Sequence, residues 1–336
     1  MNQEYTIQDK ARMKYLQLAE SIITQIKSGE LNIGDQLPSV NQLSLSYGMS
    51  KSTVLMGLNH LSEKGIIEAV YRKGYFVRKS SVDHDHRVFF LMDKITVFKE
   101  ELYQAFFNQL KDRADIDVYF HNHNYRIFER LILENLHNYT HFVIIPILKE
   151  DVTGVLNQIP PDRRIILDYN QEGLTGNYSS VYQDFAGDLY SALREVRDRI
   201  EKYRRLVLVL PENIYYGHLV REGFEKYCAE FGQASAIISK VSEDNFSPGD
   251  VYITLNRYDI DDVNIIKEVH RRRLQLGKDV GLISYNDLYM KEVLEGGITV
   301  ISADFTRMGE AAAALINENR IAKIKSPSKL IIRSSL

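Results

Sequence analysis

The chain has 336 residues, enough for about two domains, with 44% hydrophobic and 26% charged residues and 7 Pro. That composition excludes disordered, collagen-like and repeat-array classes, and no run approaches the roughly 18 apolar residues of a membrane span. Net charge is −3, but residues 1–81 carry ten Lys/Arg against seven Asp/Glu, while the remaining 32 basic and 38 acidic residues leave the rest at −6.

A small basic module on a larger acidic one is compatible with a nucleic-acid-binding head, although a difference of this size also arises by scatter. Residues 1–17 contain no apolar core of the signal-peptide kind, and the single cysteine, Cys228, can form no internal disulfide. The expected location is the cytoplasm.

Residues 14–27 place Tyr15, Leu18, Ala19, Ile22, Ile23 and Ile26 on one face at helical spacing, and Gly29 stops the helix. A turn segment, 31–38, closes at Pro38. Ser39 then reads as an N-cap with Gln42 as its capping-box partner, opening a second helix over 40–47 with Leu43 inward. After Gly48 and Met49, Ser50 caps a third helix to about Lys64, whose buried stripe is Val54, Leu58 and Leu61. Two β-prone runs, 66–70 and 75–79, flank a hairpin tip at 71–74, where Gly74 can take positive φ. Three helices and a hairpin make a winged helix-turn-helix, which lays its third helix in the DNA major groove and its wing on the backbone or minor groove.

Over residues 14–77 the sequence resembles the DNA-binding head of GntR-type bacterial regulators. Ile26-Lys27-Ser28-Gly29-Glu30-Leu31, then Gly34-Asp35-Gln36-Leu37-Pro38-Ser39, and Ser50-Lys51-Ser52-Thr53-Val54 carry the resemblance. It implies DNA contacts from Ser39, Asn41, Ser50, Lys51, Ser52, Thr53, Arg72 and Lys73. The Ser52 and Thr53 hydroxyls and the amides at the third helix's start suit phosphate oxygens, and Arg72 and Lys73 on the wing neutralise phosphates. Lys51 stands where the family usually has Arg, so it reaches a guanine edge without the bidentate fork. Asn41 and Leu55 also replace common Arg residues. Asn41 can read adenine and Leu55 can touch a thymine methyl, or each simply packs or faces water. Tyr71 and Tyr75 pack the wing.

The polar segment 79–86 separates the modules: residues 1–81 form the head, 82–86 a linker and 87–336 a two-lobed effector-binding and dimerisation domain. From residue 87, short Val/Ile/Leu runs alternate with helices. The first set has strands at 87–93, 116–120, 141–146, 163–168 and 181–183, with helices at 99–113, 124–137, near 149–157 and at 184–202. The second has strands at 205–211, 234–240, 251–256, 280–286 and 299–303, with helices at 215–231, 259–275 and 305–319. Such runs indicate buried, doubly wound parallel sheets with right-handed crossovers. The fold class is therefore an α+β winged helix-turn-helix followed by a two-lobed α/β domain.

This second segment resembles the periplasmic-binding-protein-like core of LacI-type sugar repressors. The motifs are Leu167-Asp168-Tyr169, Arg221-Glu222-Gly223-Phe224, Ile253-Thr254-Leu255-Asn256, residues 280–287 and residues 299–309. Ligands of such sheets sit beyond the C-terminal strand ends, which makes Asp93, Phe98, Asp168, Tyr169, His218, Arg221, Asn256, Asn286 and Asp287 the effector-site candidates. Carboxylates, amides and Arg meet a sugar's vicinal hydroxyls, and an aromatic ring covers its apolar face. The Arg position is displaced by one residue relative to the family, so either His218 or Arg221 takes its role. Arg257 replaces an Asp, and Asn286 the first Asp of its loop. Asp184 and Asp304 read as helix caps or hinge residues.

The resemblances imply a homodimeric transcription regulator, commonly a repressor of a carbohydrate-utilisation operon. A monosaccharide of the L-arabinose or L-fucose type, bound in the interlobe cleft, releases it from a palindromic operator or repositions it there. The same architecture responding to a nucleotide, amino acid, phosphorylated metabolite or protein, or acting as an activator, is the alternative. No catalytic residue, cofactor, metal or membrane partner is expected: no nucleophile–base, P-loop or metal-protease motif is present. The pairs His84/His86 and His121/His123 lack further ligands at metal-site spacing.

Overall fold

The computed structural model describes residues 7–79, 86–212, 214–255 and 260–336, with side chains from Lys14 onward. Two compact units emerge. One comprises Met1–Leu167, Gln171–Ser180 and Gly309–Lys323; the other comprises Asp168–Asn170, Val181–Met308 and Ile324–Leu336.

The first unit begins with α1 (Ile7–Lys27), α2 (Val40–Tyr47) and α3 (Lys51–Glu63), followed by the hairpin β1 (Ile67–Val70) and β2 (Gly74–Val77). The apolar stripe of α1 meets Val54, Leu58 and Leu61 of α3 and Leu43 of α2 in one closed core. Gly57 permits this approach, since a Cβ there would lie 3.0 Å from the Leu18 side chain and the Tyr15 carbonyl. The hairpin joins through Ile67 and Val77. The winged helix-turn-helix is present with its boundaries within a few residues of those read from the sequence, except that α1 starts earlier.

The same unit holds most of a six-stranded sheet. Its elements are β3 (His86–Met92), α4 (Val97–Leu110), β4 (Ala114–Phe120), α5 (Tyr125–Asn135), β5 (His141–Ile144), α6 (Thr153–Leu156), β6 (Arg164–Asp168) and β7 (Ser179–Tyr182). Strand order is β13-β7-β6-β5-β3-β4, where β13 is Lys323–Lys325. Pairings among β4, β3, β5 and β6 are all parallel, and β3 is almost wholly buried. That burial on both faces is why its sequence reads as a continuous apolar run.

The second unit contains α7 (Phe185–Glu195), α8 (Arg197–Ile200), β8 (Arg205–Val209), α9 (Gly217–Phe231), β9 (Ser235–Ile238) and β10 (Asp250–Thr254). It continues with α10 (Ile260–Arg271), β11 (Gly281–Tyr285), α11 (Tyr289–Val293), β12 (Thr299–Ala303) and β14 (Ser328–Ile331). Sheet order is β14-β12-β11-β10-β8-β9, parallel but for antiparallel β14 on β12. Gly223 on α9 lets that helix close on α7, because a Cβ there would stand 2.3 Å from the Ala186 carbonyl oxygen.

Three local readings need correction. The single helix expected over 184–202 breaks at Val196, which leaves helical geometry and is buried in the same core as Ile200. The helix expected to reach 275 ends at Arg271, because Arg273 adopts a left-handed φ of 56° and the Leu274 amide turns back to the Val269 carbonyl. Strands β13 and β14 follow α12 (Phe305–Asn317) where none was foreseen; their Lys-bearing alternation is that of short edge strands.

Candidate functional site

In the head, Ser39 caps α2 through the full reciprocal box with Gln42. Ser50 caps α3 by accepting the Thr53 amide at 3.2 Å. This cap fixes the helix start, leaving Lys51 and Ser52 exposed at the end where backbone N–H groups favour anions. Thr53 differs from its reading as a phosphate contact. Its side chain is buried and its hydroxyl lies 2.8 Å from that of Ser50. Asn41 and Ser39 are exposed on α2.

Leu55 is 39% exposed on the outer face of α3, beside Met56 at 48%, and Leu45 on α2 is 84% exposed. Leu45 and Met56 were not among the residues expected at the DNA face. The signal was available, since both are apolar residues out of phase with the buried stripe. At the wing tip, Arg72 has a left-handed φ of 59° and its guanidinium lies over the exposed Tyr71 ring at 5.1 Å. Tyr75, by contrast, packs on the head core. Gln36 donates from Nε2 to the Lys73 carbonyl at 2.6 Å, tying the tip to the preceding turn.

In the first α/β sheet, β3 has β4 on one side and β5 on the other, so the strand order reverses at its C-terminal end. Asp93 stands there, at the place where doubly wound sheets bind ligands. Its carboxylate is buried, paired with Lys99 Nζ and 3.6 Å from His123 Nε2. Lys99 falls in the buried stripe of α4 with Leu102, Phe106 and Leu110, a charged residue in an apolar phase that marks a partner in wait. Phe98 is half-buried in the same first turn. His121 Nε2 meets the Ile145 carbonyl at 3.1 Å and His123 Nδ1 that of Ile147 at 3.0 Å. Burial holds the His121 imidazole down to about 4, hence neutral. Among the described residues no group of three or more His, Cys, Asp or Glu is placed to hold a metal.

In the second unit, Asp168 ends β6 with φ of 70°, a strained conformation for a non-glycine residue, and accepts from Gln183 Nε2 at 2.5 Å. Tyr169 is half-buried against the main core of this unit. His218 and Arg221 are both exposed in the first turns of α9, and Arg221 makes a loose contact of 3.9 Å with Glu225. Strand order in this sheet reverses at β8, which places the start of α9 and the residue after β10 at its switch point. Asn256 lies outside the described residues.

Asn286 and Asp287 follow β11 but serve differently. Asn286 takes φ of 58°, and its amide donates to the Ile301 carbonyl at 2.7 Å. Its Oδ1 is buried and has no hydrogen-bond partner among the described residues. Asp287 receives both terminal nitrogens of Arg333, at 2.8 and 2.6 Å, and so is already occupied. Beneath them, Lys291 donates to the Tyr285 carbonyl at 3.0 Å, the Asn286 carbonyl at 3.1 Å and Ser284 Oγ at 2.7 Å. It also lies 3.4 Å from the buried Asp262 carboxylate. Lys291 and Arg333, both missed in the sequence, shape this loop.

Asp184 caps α7 by accepting the Gly187 amide at 3.0 Å, and Asp304 accepts the Arg307 amide at 3.0 Å at the start of α12. Both match the cap role read for them. Lys325 bridges Asp184 and Asp188 at 2.9 and 3.0 Å.

Residues 14–77 match the family described as bacterial regulatory proteins, gntR family, and residues 200–336 match the periplasmic binding protein-like domain. Over 88 residues the chain is 36% identical to the mannosyl-D-glycerate transport/metabolism system repressor MngR of Escherichia coli, covering 26% of this chain and 34% of that protein. Over 88 residues it is 31% identical to the HTH-type transcriptional repressor NagR of Bacillus subtilis, with shares of 26% and 34%. The chain thus spans about a third of the length of these two curated relatives. Among solved structures, the trehalose repressor from Escherichia coli superposes with a TM-score of 0.60 at 14% identity, covering 74% of this chain and 100% of that one. A LacI family regulator from Lactobacillus casei with bound glucose gives 0.59 at 14% identity, with shares of 74% and 99%. At that identity the likeness is one of fold.

Proposed function

From a gntR-family winged helix-turn-helix joined to a periplasmic-binding-protein-like domain, we propose that this chain is a ligand-responsive transcription regulator. Its role is that of a repressor of a carbohydrate-utilisation operon, binding a palindromic operator as a homodimer. The head comprises residues 1–81 and the effector domain residues 87–336. The carrying observation is the pairing in one chain of a capped helix start bearing exposed Lys51 and Ser52 with unfilled polar groups at parallel-strand ends.

A sugar effector is supported by Asn286, whose buried Oδ1 finds no donor among the described residues, a place that a sugar hydroxyl can fill. The names of the repressor relatives and the glucose in one structural neighbour point the same way. Asn286, Asp168, Tyr169 and Arg221 or His218 are the contacts expected in the second unit, and Phe98 in the first. Asp93 and Asp287 act through their ion-pair partners. The exposed Arg221 guanidinium near the start of α9, with the exposed His218 one turn before it, favours a phosphorylated sugar as a second reading. Homodimerisation is supported by exposed apolar side chains on neighbouring helices: Ile260 and Val263 of α10, and Tyr289, Met290 and Val293 of α11.

The test is a thermal-shift panel of pentoses, hexoses, deoxysugars and sugar phosphates on the full chain, headed by L-arabinose and L-fucose. A ligand at a hundredfold excess over its Kd stabilises by about 2.7 kcal/mol. One sugar should give a saturable shift that Asn286→Ala and Asp168→Ala abolish. No shift from any member of the panel, in a chain that melts cooperatively, refutes the sugar reading. Operator recognition is read separately, by retardation of duplexes selected from a random library, which Lys51→Ala and Arg72→Ala should weaken.

A further inference from the structure

The head meets the first α/β sheet through a polar joint that the regulator reading does not require. Asn138, in the turn between α5 and β5, is 2% exposed. Its Oδ1 accepts from Ser62 Oγ at 2.8 Å and from the Ala69 amide at 2.9 Å, while its Nδ2 donates to the Ala69 carbonyl at 3.2 Å. Ser62 is in the last turn of α3 and Ala69 in β1 of the wing. Engaging both the N–H and the C=O of one strand residue is what a neighbouring β-strand does. A single side chain therefore supplies the ladder partner on the edge of β1 opposite β2.

The groups around this joint are complementary. The Asn138 main-chain carbonyl accepts from Arg87 Nη1 at 3.0 Å, and Arg87 is itself buried, with its stem against Gly65 of the head. Ion pairs surround it: Glu63 with Arg163 at 2.7 Å, Lys79 with Asp115 at 2.5 Å and Arg78 with Asp117 at 3.6 Å. Tyr139 donates to Asp117 at 2.8 Å. None of the exposed candidates for DNA contact is used. Lys51, Ser52, Arg72 and Lys73 remain exposed, and Ser62 and Glu63 lie at the opposite end of α3, about 17 Å from Lys51 at 1.5 Å per residue.

We propose that Asn138 is the positioning residue that latches the winged head onto the first lobe, so that the DNA-reading helix moves with that lobe as one body. The geometry fits that task. The latch grips the base of α3 and the edge of the wing together, so the two DNA-facing parts keep a fixed relation to the lobe. A small rotation of the lobe is then carried to the helix start by a rigid arm. The proposal goes beyond the sugar reading and holds for any effector.

Head mobility in the full chain tests it. A fluorophore on Ser46→Cys, exposed on α2, in a Cys228→Ser background, reports head motion by time-resolved anisotropy without ligand or DNA. The latched chain should show only whole-molecule tumbling. Asn138→Ala and Glu63→Arg should each add a fast component, and Arg163→Glu on top of Glu63→Arg should remove it. Hydrogen exchange at the Ala69 amide should accelerate about tenfold in Asn138→Ala, while amides in the core of α3 stay protected. Preserved protection in α3 distinguishes an unlatched head from an unfolded one. A fast head component in the unmutated chain, or unchanged anisotropy and exchange in both single variants, overturns the proposal.

Discussion

Replacing Lys291 by Met should destabilise the second unit strongly. The ammonium donates to two carbonyls and one hydroxyl at 2.7–3.1 Å and faces Asp262 at 3.4 Å, and both charged side chains are under 10% exposed. Removing one member of a buried pair costs about 3–5 kcal/mol, because the other charge stays behind without compensation. The Thr254 and Ser284 hydroxyls still donate to Asp262, which places the loss near the lower end, about 3 kcal/mol. For a unit of this size, that corresponds to a fall in Tm of roughly 6–12 °C by calorimetry on the full chain. The double variant Lys291→Met/Asp262→Leu should recover part of the loss, since two apolar groups leave no stranded charge. A fall under about 2 °C for Lys291→Met, or a double variant worse than the sum of its singles, refutes the assignment.

Three further outcomes are expected. Leu58→Ala empties a fully buried position in the head core, should cost about 2–5 kcal/mol and should abolish duplex retardation while the effector domain still melts cooperatively. Between pH 6.5 and 4 the unfolded chain protonates His121 and the folded chain does not, so its contribution, about 3 kcal/mol, is complete above 6.5 and is lost as pH falls toward 4. Burial holds His141 down to about 4 as well, so Tm should drop over this window, and less steeply in His121→Gln. Tyr289→Lys combined with Val293→Asp charges the apolar face of α11 and should shift sedimentation of the proposed homodimer toward monomer, whereas an unchanged sedimentation coefficient removes that face from the interface.

Much of this molecule is written locally. The stripe from Tyr15 to Ile26, the Ser39–Gln42 box, the Ser50 cap and the apolar runs that become buried strands all depend on bonds or periodicities within a few residues, so the fold class and most element boundaries follow from reading along the chain. Candidate polar residues at strand ends follow as well, because parallel sheets put ligand-facing residues there whatever their partners are. Which of them is free was not legible. Asp287 is filled by Arg333, 46 residues on, and Asp93 by a lysine in the next helix. Asn286 keeps an oxygen with no partner among the described residues, on a loop braced by Lys291. Asn138 looks like any turn asparagine until folding brings β1 and the end of α3, about 70 residues earlier in the chain, onto its amide. The physical reason is the same in each case. Periodicity and caps report the energy of neighbours along the backbone, while the pairing of a buried charge or amide is decided by strand order and crossover, which only the tertiary structure sets.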